Sequence, residues 1–254
     1  MKLLMIGDVV GSVGCRFLAK KLPALKREYG IDITVVNGEN SADGNGITPE
    51  SARSLFQAGA DIITTGNHAF QRKNGFSVFD NESIVRPANY SDACPGRGYT
   101  IFDMGSTQAA VVNLQGVLFL EPLDNPFDTM DRILSEIETP NIFVDFHAEA
   151  TSEKRALGHY LTRRVTAVIG THTHVPTADA CILGGHTGYL TDAGMTGVED
   201  SVLGVKKEIA VDKLRLHVPI RFEEAEGTCW LCGVVVEYDK KCGKCTKITP
   251  LIVR

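Results

Sequence analysis

Polar side chains with metal-binding or acid–base chemistry recur where short apolar runs of the sequence end. They are Asp8, Glu39, Asn40, Asn67, His68, His147, His172 and His174. If those runs are strands of an α/β sheet, their carboxyl ends line a common crevice, so the side chains should converge. Carboxylate, amide and imidazole donors without thiolate suit hard or borderline divalent metals. The set therefore predicts a metal centre.

The two histidines of Gly-Thr-His-Thr-His are the most informative members of this set. Side chains at i and i+2 of an extended segment point the same way, so His172 and His174 can serve one site. Each member alone has a simpler interpretation: a strand-end Asp caps a helix, an Asn after glycine takes a left-handed turn, and a buried His makes a core hydrogen bond. Recurrence at five strand ends favours the metal.

The elements that must position these residues alternate between strands and helices. Residues 3–6, 33–36 and 62–63 form apolar runs typical of strands, and apolar spacing near 3.6 over 17–25 predicts a helix between the first two. Thr48 followed by Pro49 predicts the start of a second helix. Repeated strand–helix–strand order implies a partly parallel sheet.

The rest of the chain is predicted to be richer in strands. Further strands are expected at 99–102, 109–114, 142–146, 165–169, 189–190, 214–218, 234–238 and 248–253, and helices at 126–137 and 151–164. Thr151 is a candidate cap for its helix, and residues 194–197 are expected to form either a flexible loop that borders the substrate or a turn packed beside the site. No repeat or linker divides the chain, so residues 1–254 are expected to form one α/β domain that ends in a β-hairpin at about 230–253.

Composition narrows the class of protein. The 254 residues carry 26 Lys+Arg against 31 Asp+Glu, a net charge of -5, and 43% are hydrophobic. These fractions are those of a globular protein rather than a disordered one. The mild acidity disfavours stable nucleic-acid binding. No apolar run reaches the roughly 20 residues of a membrane helix, and the first residues lack a signal peptide, so a cytoplasmic location is expected.

Seven short motifs extend through most of the chain in a distinctive order. They are Ile-Gly-Asp-Val-Val-Gly (6–11), Asn-Gly-Glu-Asn (37–40), Gly-Asn-His (66–68), Val-Arg-Pro-Ala-Asn-Tyr (85–90), His-Ala-Glu-Ala-Thr-Ser-Glu-Lys (147–154), Gly-Thr-His-Thr-His-Val-Pro-Thr (170–177) and Thr-Asp-Ala-Gly-Met-Thr-Gly (191–197). Their order resembles that of the calcineurin-like metallophosphoesterases. Val10 stands where that pattern has a histidine, and Glu39 where it has an aspartate. Both departures are similar to the YmdB-type branch.

This resemblance implies a fold and a ligand set. The fold would be a layered sandwich of two facing mixed β-sheets flanked by helices. Glu39 would bridge two metal ions. The other ligands would divide into two sets of three, Asp8, Asn40 and His174 for the first ion and Asn67, His147 and His172 for the second. Asn40 would take the place of the missing first-strand histidine.

The resemblance also implies an activity. Iron or manganese would be the metals, divalent or trivalent, and zinc also suits these donors. The substrate would be a small phosphodiester, above all a 2′,3′-cyclic nucleotide. Two rival hypotheses stay open: a phosphomonoesterase or 5′-nucleotidase at the same site, and a non-catalytic nucleotide-binding regulator. No membrane partner is expected, and assembly into a homo-oligomer also stays open.

The chemistry of such a site follows from charge neutralisation. Two ions about 3.5–4 Å apart can share a hydroxide that attacks phosphorus and can hold the phosphoryl oxygens. His68 adjoins the ligand Asn67 and is expected to point away from the ions. We predict that it is the general acid at the leaving oxygen, or that it stabilises transition-state charge. The alternative is a hydrogen-bonding support behind a ligand.

Two Cys-x-x-Cys pairs near the end of the chain raise a second metal hypothesis. The pairs are Cys229 with Cys232 and Cys242 with Cys245, the spacing of a zinc knuckle. The intervening residues predict a hairpin, which would separate Cys232 from the turn by about 20 Å. Four thiolates on one ion must lie much closer together. The hairpin therefore favours unlinked thiols in a reducing compartment.

Overall fold

The computed structural model describes all 254 residues, in thirteen strands and five α-helices. The strands are β1 Lys2–Ile6, β2 Asp8–Val9, β3 Ile33–Asn37, β4 Ile62–Thr64, β5 Tyr99–Asp103, β6 Gln108–Gln115, β7 Ile142–His147, β8 Ala167–Thr171, β9 Cys181–Leu183, β10 Thr187–Leu190, β11 Met195–Val198, β12 Cys229–Asp239 and β13 Lys244–Val253. The helices are α1 Gly11–Tyr29, α2 Pro49–Ala58, α3 Pro126–Glu136, α4 Thr151–Tyr160 and α5 Lys207–Leu216. None of the helices combines the length and hydropathy needed to cross a bilayer.

The strands form two mixed sheets. Seven strands make the first sheet, in the order β2-β11-β12-β1-β3-β4, with β13 paired to β12. The other six make the second sheet, in the order β5-β6-β7-β8-β10-β9. Strands β1, β3 and β4 run parallel, as do β6, β7, β8 and β10, whereas β12 is antiparallel to β1. The predicted sandwich of two mixed sheets flanked by helices is confirmed.

Alternate residues of β1 show how the layers pack. Leu3 and Met5 belong to the apolar cluster between the two sheets, which also contains Phe143 of the second sheet. Leu4 and Ile6 point the other way, into the cluster formed with α1 and α2. A third cluster joins the outer face of the second sheet to α3 and α4. Strands buried on both faces explain why the sequence shows continuous apolar runs there instead of alternation.

The helix starts were predicted with mixed success. Thr48 caps α2 as predicted, because its side chain accepts the Ser51 backbone N–H and the Ser51 hydroxyl in turn accepts the Thr48 N–H. The prediction for Thr151 was wrong. Thr151 is the first residue of α4, and the preceding Ala150 occupies the cap position without a side-chain hydrogen bond.

The predicted strand at 214–218 was also wrong. Its first residues form the end of α5, and His217, which was expected in a strand, ends that helix in the left-handed conformation with φ 55°. Only Ala210 of α5 is buried. Val211, Leu214 and Leu216 are exposed, so the helix buries almost no apolar surface against the core.

The segment 194–197 is not a flexible loop. Met195–Val198 is the buried strand β11, paired parallel to β2 and antiparallel to β12. Pairing of β11 with β2 brings this part of the chain to the strand that carries Asp8. Strand β11 therefore supports the strand that carries Asp8.

The C-terminal strands form an antiparallel hairpin that separates the two cysteine pairs. Cys232 lies opposite Ile252, whereas Cys245 lies opposite Tyr238 near the turn. The distance along β12 between these positions is about 20 Å, at about 3.3 Å per residue. Cys229, Cys232 and Cys245 are buried, and Cys242 is exposed at the turn.

This arrangement gives a simple expectation for Cys242→Ser. The free energy of unfolding should change by no more than about 0.5 kcal/mol, because the thiol is exposed at the hairpin turn. A structural zinc site would lose on the order of 10 kcal/mol with its ligand. Chemical denaturation together with zinc analysis of the purified protein measures both. Loss of stoichiometric zinc with a large drop in stability would show that the knuckle hypothesis is correct.

Candidate metal centre

The predicted ligands meet where the two sheets end side by side. Asp8, Glu39, Asn40 and Asn67 come from the first sheet, after β1, β3 and β4. His147, His172 and His174 come from the second sheet, at the ends of β7 and β8. Both sheets direct the carboxyl ends of their parallel strands to this edge, so ligands far apart in sequence converge.

Four of these residues form one tight group around His147. Its Nε2 lies 2.9 Å from Asn67 Oδ1, 3.0 Å from His172 Nδ1 and 3.1 Å from Glu39 Oε1. Ligand atoms of Glu39, His147 and His172 all lie within 4.8 Å of one another. His147 and Glu39 are fully buried. We name these four residues the His147 group.

The outward nitrogens of the imidazoles are held by oxygen acceptors. His147 Nδ1 lies 2.9 Å from the Thr171 hydroxyl, which donates its own proton to Asp145 at 2.7 Å. His172 Nε2 lies 3.0 Å from Glu149 Oε2. With a metal bound, each outer nitrogen would carry the proton and each inner nitrogen would be the ligand.

The His147 group thus directs four electron-pair donors at one point. Asn67 Oδ1, His172 Nδ1 and Glu39 Oε1 each lie 2.9–3.1 Å from His147 Nε2, and one metal ion could bind all four atoms. This donor set suits a first-row divalent metal. The residues present therefore fit the metal that the motifs imply.

The pKa values of the His147 group without metal are also consistent with a cation site. Burial alone would lower the pKa of His147, but the neighbouring Glu39 carboxylate, with Asp8 and Asp145, raises it to about 9. Burial and the adjacent His147 charge lower the pKa of His172 to about 4. Burial alone would raise the pKa of Glu39, but His147 and His68 hold it well below its usual range. Without metal, a proton on His147 offsets the negative charge of the buried Glu39 carboxylate.

A second group lies on the other side of Glu39. His174 Nε2 lies 3.6 Å from Asp8 Oδ1 and 3.2 Å from Asn40 Nδ2, while its Nδ1 donates to the Leu203 carbonyl at 3.1 Å. Burial would raise the pKa of Asp8, but its bond to His174 lowers it. We name Asp8, Asn40 and His174 the His174 group.

Asn40 faces this group with its amide nitrogen. Nδ2 donates to Asp8 Oδ1 at 3.3 Å and to Glu39 Oε1 at 3.2 Å, and Oδ1 accepts from His68 Nδ1 at 2.9 Å. A half-turn of the amide would present the oxygen to Asp8 and His174 instead. Asn40 thus lies at the predicted place with its nitrogen, rather than its oxygen, turned inward.

Glu39 connects the two groups. Its Oε1 lies within 3.2 Å of both His147 Nε2 and Asn40 Nδ2. Its Oε2 accepts the backbone N–H of His68 at 3.0 Å. The carboxylate is therefore placed between the groups, as a bridging ligand requires.

His68 lies beside Glu39 on the cavity wall. Its Nδ1 contacts Asn40 Oδ1 at 2.9 Å and Glu39 Oε1 at 3.3 Å, so the ring leans toward the ligands rather than away from them. Nε2 makes no hydrogen bond within the protein, and the side chain is 30% exposed. One nitrogen is thus held in place and the other is available to a substrate.

The cavity over the two groups has a volume of 1110 Å³. Its floor contains Glu39, Asn40, His68, His172 and His174, and its far wall comes from Leu203–Val205, Lys213 and residues 220–224. That wall includes Phe222, whose ring centroid lies 3.8 Å from Lys213 Nζ. Sequence reasoning missed this wall because it assigned part of the segment to a strand.

Asp145 is a buried supporting residue that the motifs did not reveal. It accepts hydrogen bonds from the Thr64 and Thr171 hydroxyls and from Asn37 Nδ2, and so joins the two sheets behind the ligands. Burial raises its pKa to about 6. An aspartate within the otherwise apolar run Ile142–Phe146 is a signal that could have found it.

Comparison with known proteins places this site in a family. A family model described as YmdB-like protein matches residues 4–251. The chain belongs to the YmdB-like family. This YmdB-like chain is 46% identical over 256 positions to a 2′,3′-cyclic-nucleotide 2′-phosphodiesterase of Bacillus subtilis, with 100% of this chain and 97% of that relative covered.

Solved structures agree on the fold. A protein of Mycoplasma pneumoniae described as a novel phosphatase superimposes on the YmdB-like chain with a TM-score of 0.95 at 32% identity, covering 100% of this chain and 93% of the other. A Staphylococcus aureus structure assigned as a 5′-nucleotidase matches with a TM-score of 0.63 at 13% identity, over 100% of this chain and 54% of the other. The latter likeness concerns the fold alone, and the predicted metallophosphoesterase sandwich is confirmed.

Proposed function

We propose that this YmdB-like protein is a two-metal phosphodiesterase that hydrolyses 2′,3′-cyclic nucleotides at the 2′ ester. Glu39 would bridge the ions. The remaining ligands would be Asp8, Asn40 and His174 for one ion and Asn67, His147 and His172 for the other. Iron or manganese suits the mixed oxygen and imidazole donors, and zinc is the third candidate.

The main support for this proposal is the convergence of four potential metal-ligand atoms in the His147 group. The other three atoms lie 2.9–3.1 Å from His147 Nε2, a spacing at which one metal ion could bind all four. Glu39 extends the same arrangement to the His174 group. The relative named as a cyclic-nucleotide phosphodiesterase, which aligns over the whole chain, supports the substrate class.

The residues around the cavity would divide the tasks of the reaction. When bound, the metals would polarise the phosphoryl oxygens and activate the attacking water. As the bond from phosphorus to the 2′ oxygen breaks, that oxygen needs a proton. His68 Nε2 faces the cavity and can donate it, while Asn40 and Glu39 keep the ring in place through Nδ1. The 1110 Å³ cavity accommodates the nucleoside.

A hydrolysis screen with defined metals tests the proposed function. Metal-free protein would be reloaded with Mn²⁺, Fe²⁺ or Zn²⁺ and incubated with 2′,3′-cAMP, 3′,5′-cAMP, 5′-AMP and an aryl phosphodiester. We expect turnover of 2′,3′-cAMP to the 3′-monophosphate with one of these metals. Faster release of phosphate from 5′-AMP would favour a nucleotidase, and tight binding without any turnover would favour a regulator.

Chelation should lower thermal stability. A ligand that binds only the folded state at 100 times its Kd stabilises it by about 2.7 kcal/mol. In a chain of this size that corresponds to a Tm lowered by about 5–10 °C when EDTA removes the metal. Differential scanning calorimetry before and after dialysis, with Mn²⁺ added back as the control, measures the change. An unchanged Tm in protein shown to lose its metal contradicts the proposed site.

Two further proposals concern the chain as a whole. We propose that residues 1–254 form one domain, because strands from both ends of the chain pack in the cluster between the sheets. We also propose a cytoplasmic location, because the seven cysteines are free thiols and three of the last four are buried in the core.

A further inference from the structure

A buried ion pair lies directly behind the segment that carries His172 and His174. Lys154 Nζ contacts Asp192 Oδ2 at 2.7 Å, and the two side chains are 1% and 0% exposed. The same ammonium donates to the Thr171 carbonyl at 2.7 Å. Neither residue lines the cavity.

The carboxylate of this pair also binds backbone amides. Asp192 Oδ2 accepts the Thr173 N–H at 3.1 Å, and Oδ1 accepts the Gly194 N–H at 2.8 Å. The Gly194 carbonyl in turn accepts the Asp8 N–H at 3.1 Å. One carboxylate therefore connects the histidine segment to the backbone at Asp8.

The segment that these bonds hold is not in a relaxed conformation. His172 has φ 98° and His174 has φ 63°, a region that residues other than glycine rarely occupy. Asp8 Oδ2 accepts the His172 N–H at 3.1 Å, and Asp192 holds the next amide along the chain. Two consecutive N–H groups between the ligands are thus fixed by two buried carboxylates.

We propose that Lys154 and Asp192 are positioning residues for the metal ligands His172 and His174. By holding Thr171 and Thr173, the pair keeps the backbone left-handed at His172, so that its Nδ1 meets the His147 group while His174 meets its own group. Buried ion pairs seldom add net stability over apolar residues of similar size, so stability alone gives little reason for this one. The inference rests on the proposed function, because it takes both histidines as ligands.

The test separates positioning from folding. Lys154→Met or Asp192→Ala alone leaves a buried charge without its partner and can prevent folding. The double variant Lys154→Met/Asp192→Ala removes both charges without adding volume to the core, so it should fold. Its Thr173 and Gly194 amides have nonetheless lost their acceptor. A core truncation remote from the site, Ile133→Ala, serves as the control for lowered stability.

Two measurements are made on the full chain. Titration with Mn²⁺ alone should show affinity about 10–100-fold weaker in the double variant than in the wild type, with the Ile133→Ala control unchanged. In metal-free protein, amide hydrogen exchange at 172–174 should be at least about tenfold faster in the double variant relative to β6, as expected for a local opening. Wild-type Mn²⁺ affinity in a folded double variant overturns the proposal. If the wild type itself bound no Mn²⁺, the proposed function would fail, and the exchange rates alone would decide whether the pair holds the segment.

Discussion

Glu39→Gln is expected to abolish tight binding of both metal ions and to lower kcat/KM by about 10³-fold or more. The carboxylate lies between the two groups, so its loss removes a ligand from each ion at once. Lewis-acid stabilisation of a phosphoryl transition state amounts to several kcal/mol, and each 1.36 kcal/mol is a factor of ten in rate. The substitution keeps the shape and removes the charge.

Elemental analysis and steady-state kinetics on the same preparation measure this effect. Asp43→Asn is the matched control, because it makes the same chemical change at an exposed position on the wall of the same cavity. The control should keep two ions per chain and near wild-type turnover. A Glu39→Gln protein that retains two tightly bound ions would show that the carboxylate is not the bridging ligand.

His68→Ala is expected to lower kcat by about 10²–10⁴-fold while the metal content stays near that of the wild type. The side chain contacts Glu39 and Asn40 but directs Nε2 into the cavity, so its loss should remove proton donation and leave the ligands in place. The backbone N–H that binds Glu39 Oε2 is retained in the variant. His159→Ala, on the exposed side of α4, is the control.

The leaving group distinguishes the two roles predicted for His68. Nitrophenolate is a good leaving group that departs without protonation. A general acid therefore matters less for the hydrolysis of nitrophenyl esters than for the hydrolysis of nucleotides. The loss should therefore shrink with nitrophenyl substrates. An equal loss for both would indicate that His68 stabilises phosphoryl charge, and a fall in metal content would make it part of the ligand support.

The sequence predicted the site best where the end of a strand carries a single metal-binding side chain. Parallel strands buried on both faces leave apolar runs that end abruptly, and the residue after each run lies at the same edge of the sandwich. The positions of Asp8, Glu39 and His147 in the fold follow from this rule. The separation of the ligands into two groups around Glu39 agrees with the division that the family resemblance implied, and remains a proposal.

The sequence was least informative where long-range contacts decide the structure. The alternation Leu214-Arg-Leu-His-Val suggests a strand, yet residues 214–216 are the last turn of a solvent-exposed helix that ends at His217. Lys154, Asp145 and Asp192 were missed for another reason. Their partners lie 17 to 108 residues away, so only the assembled fold shows what they hold.

The division of the ligands between the two sheets also sets an order of events during synthesis. The carboxylates and amides are made first, within residues 8–67, and the imidazoles only within 147–174. Strand β1, which leads into Asp8, lies between β3 and β12, and β12 begins at Cys229. A nascent chain that ends between residues 174 and 229 has every ligand but lacks the strand that pairs with β1 on the side opposite β3. Metal acquisition should therefore follow synthesis of nearly the whole chain, and a chain stopped before residue 229 should retain no Mn²⁺ on gel filtration.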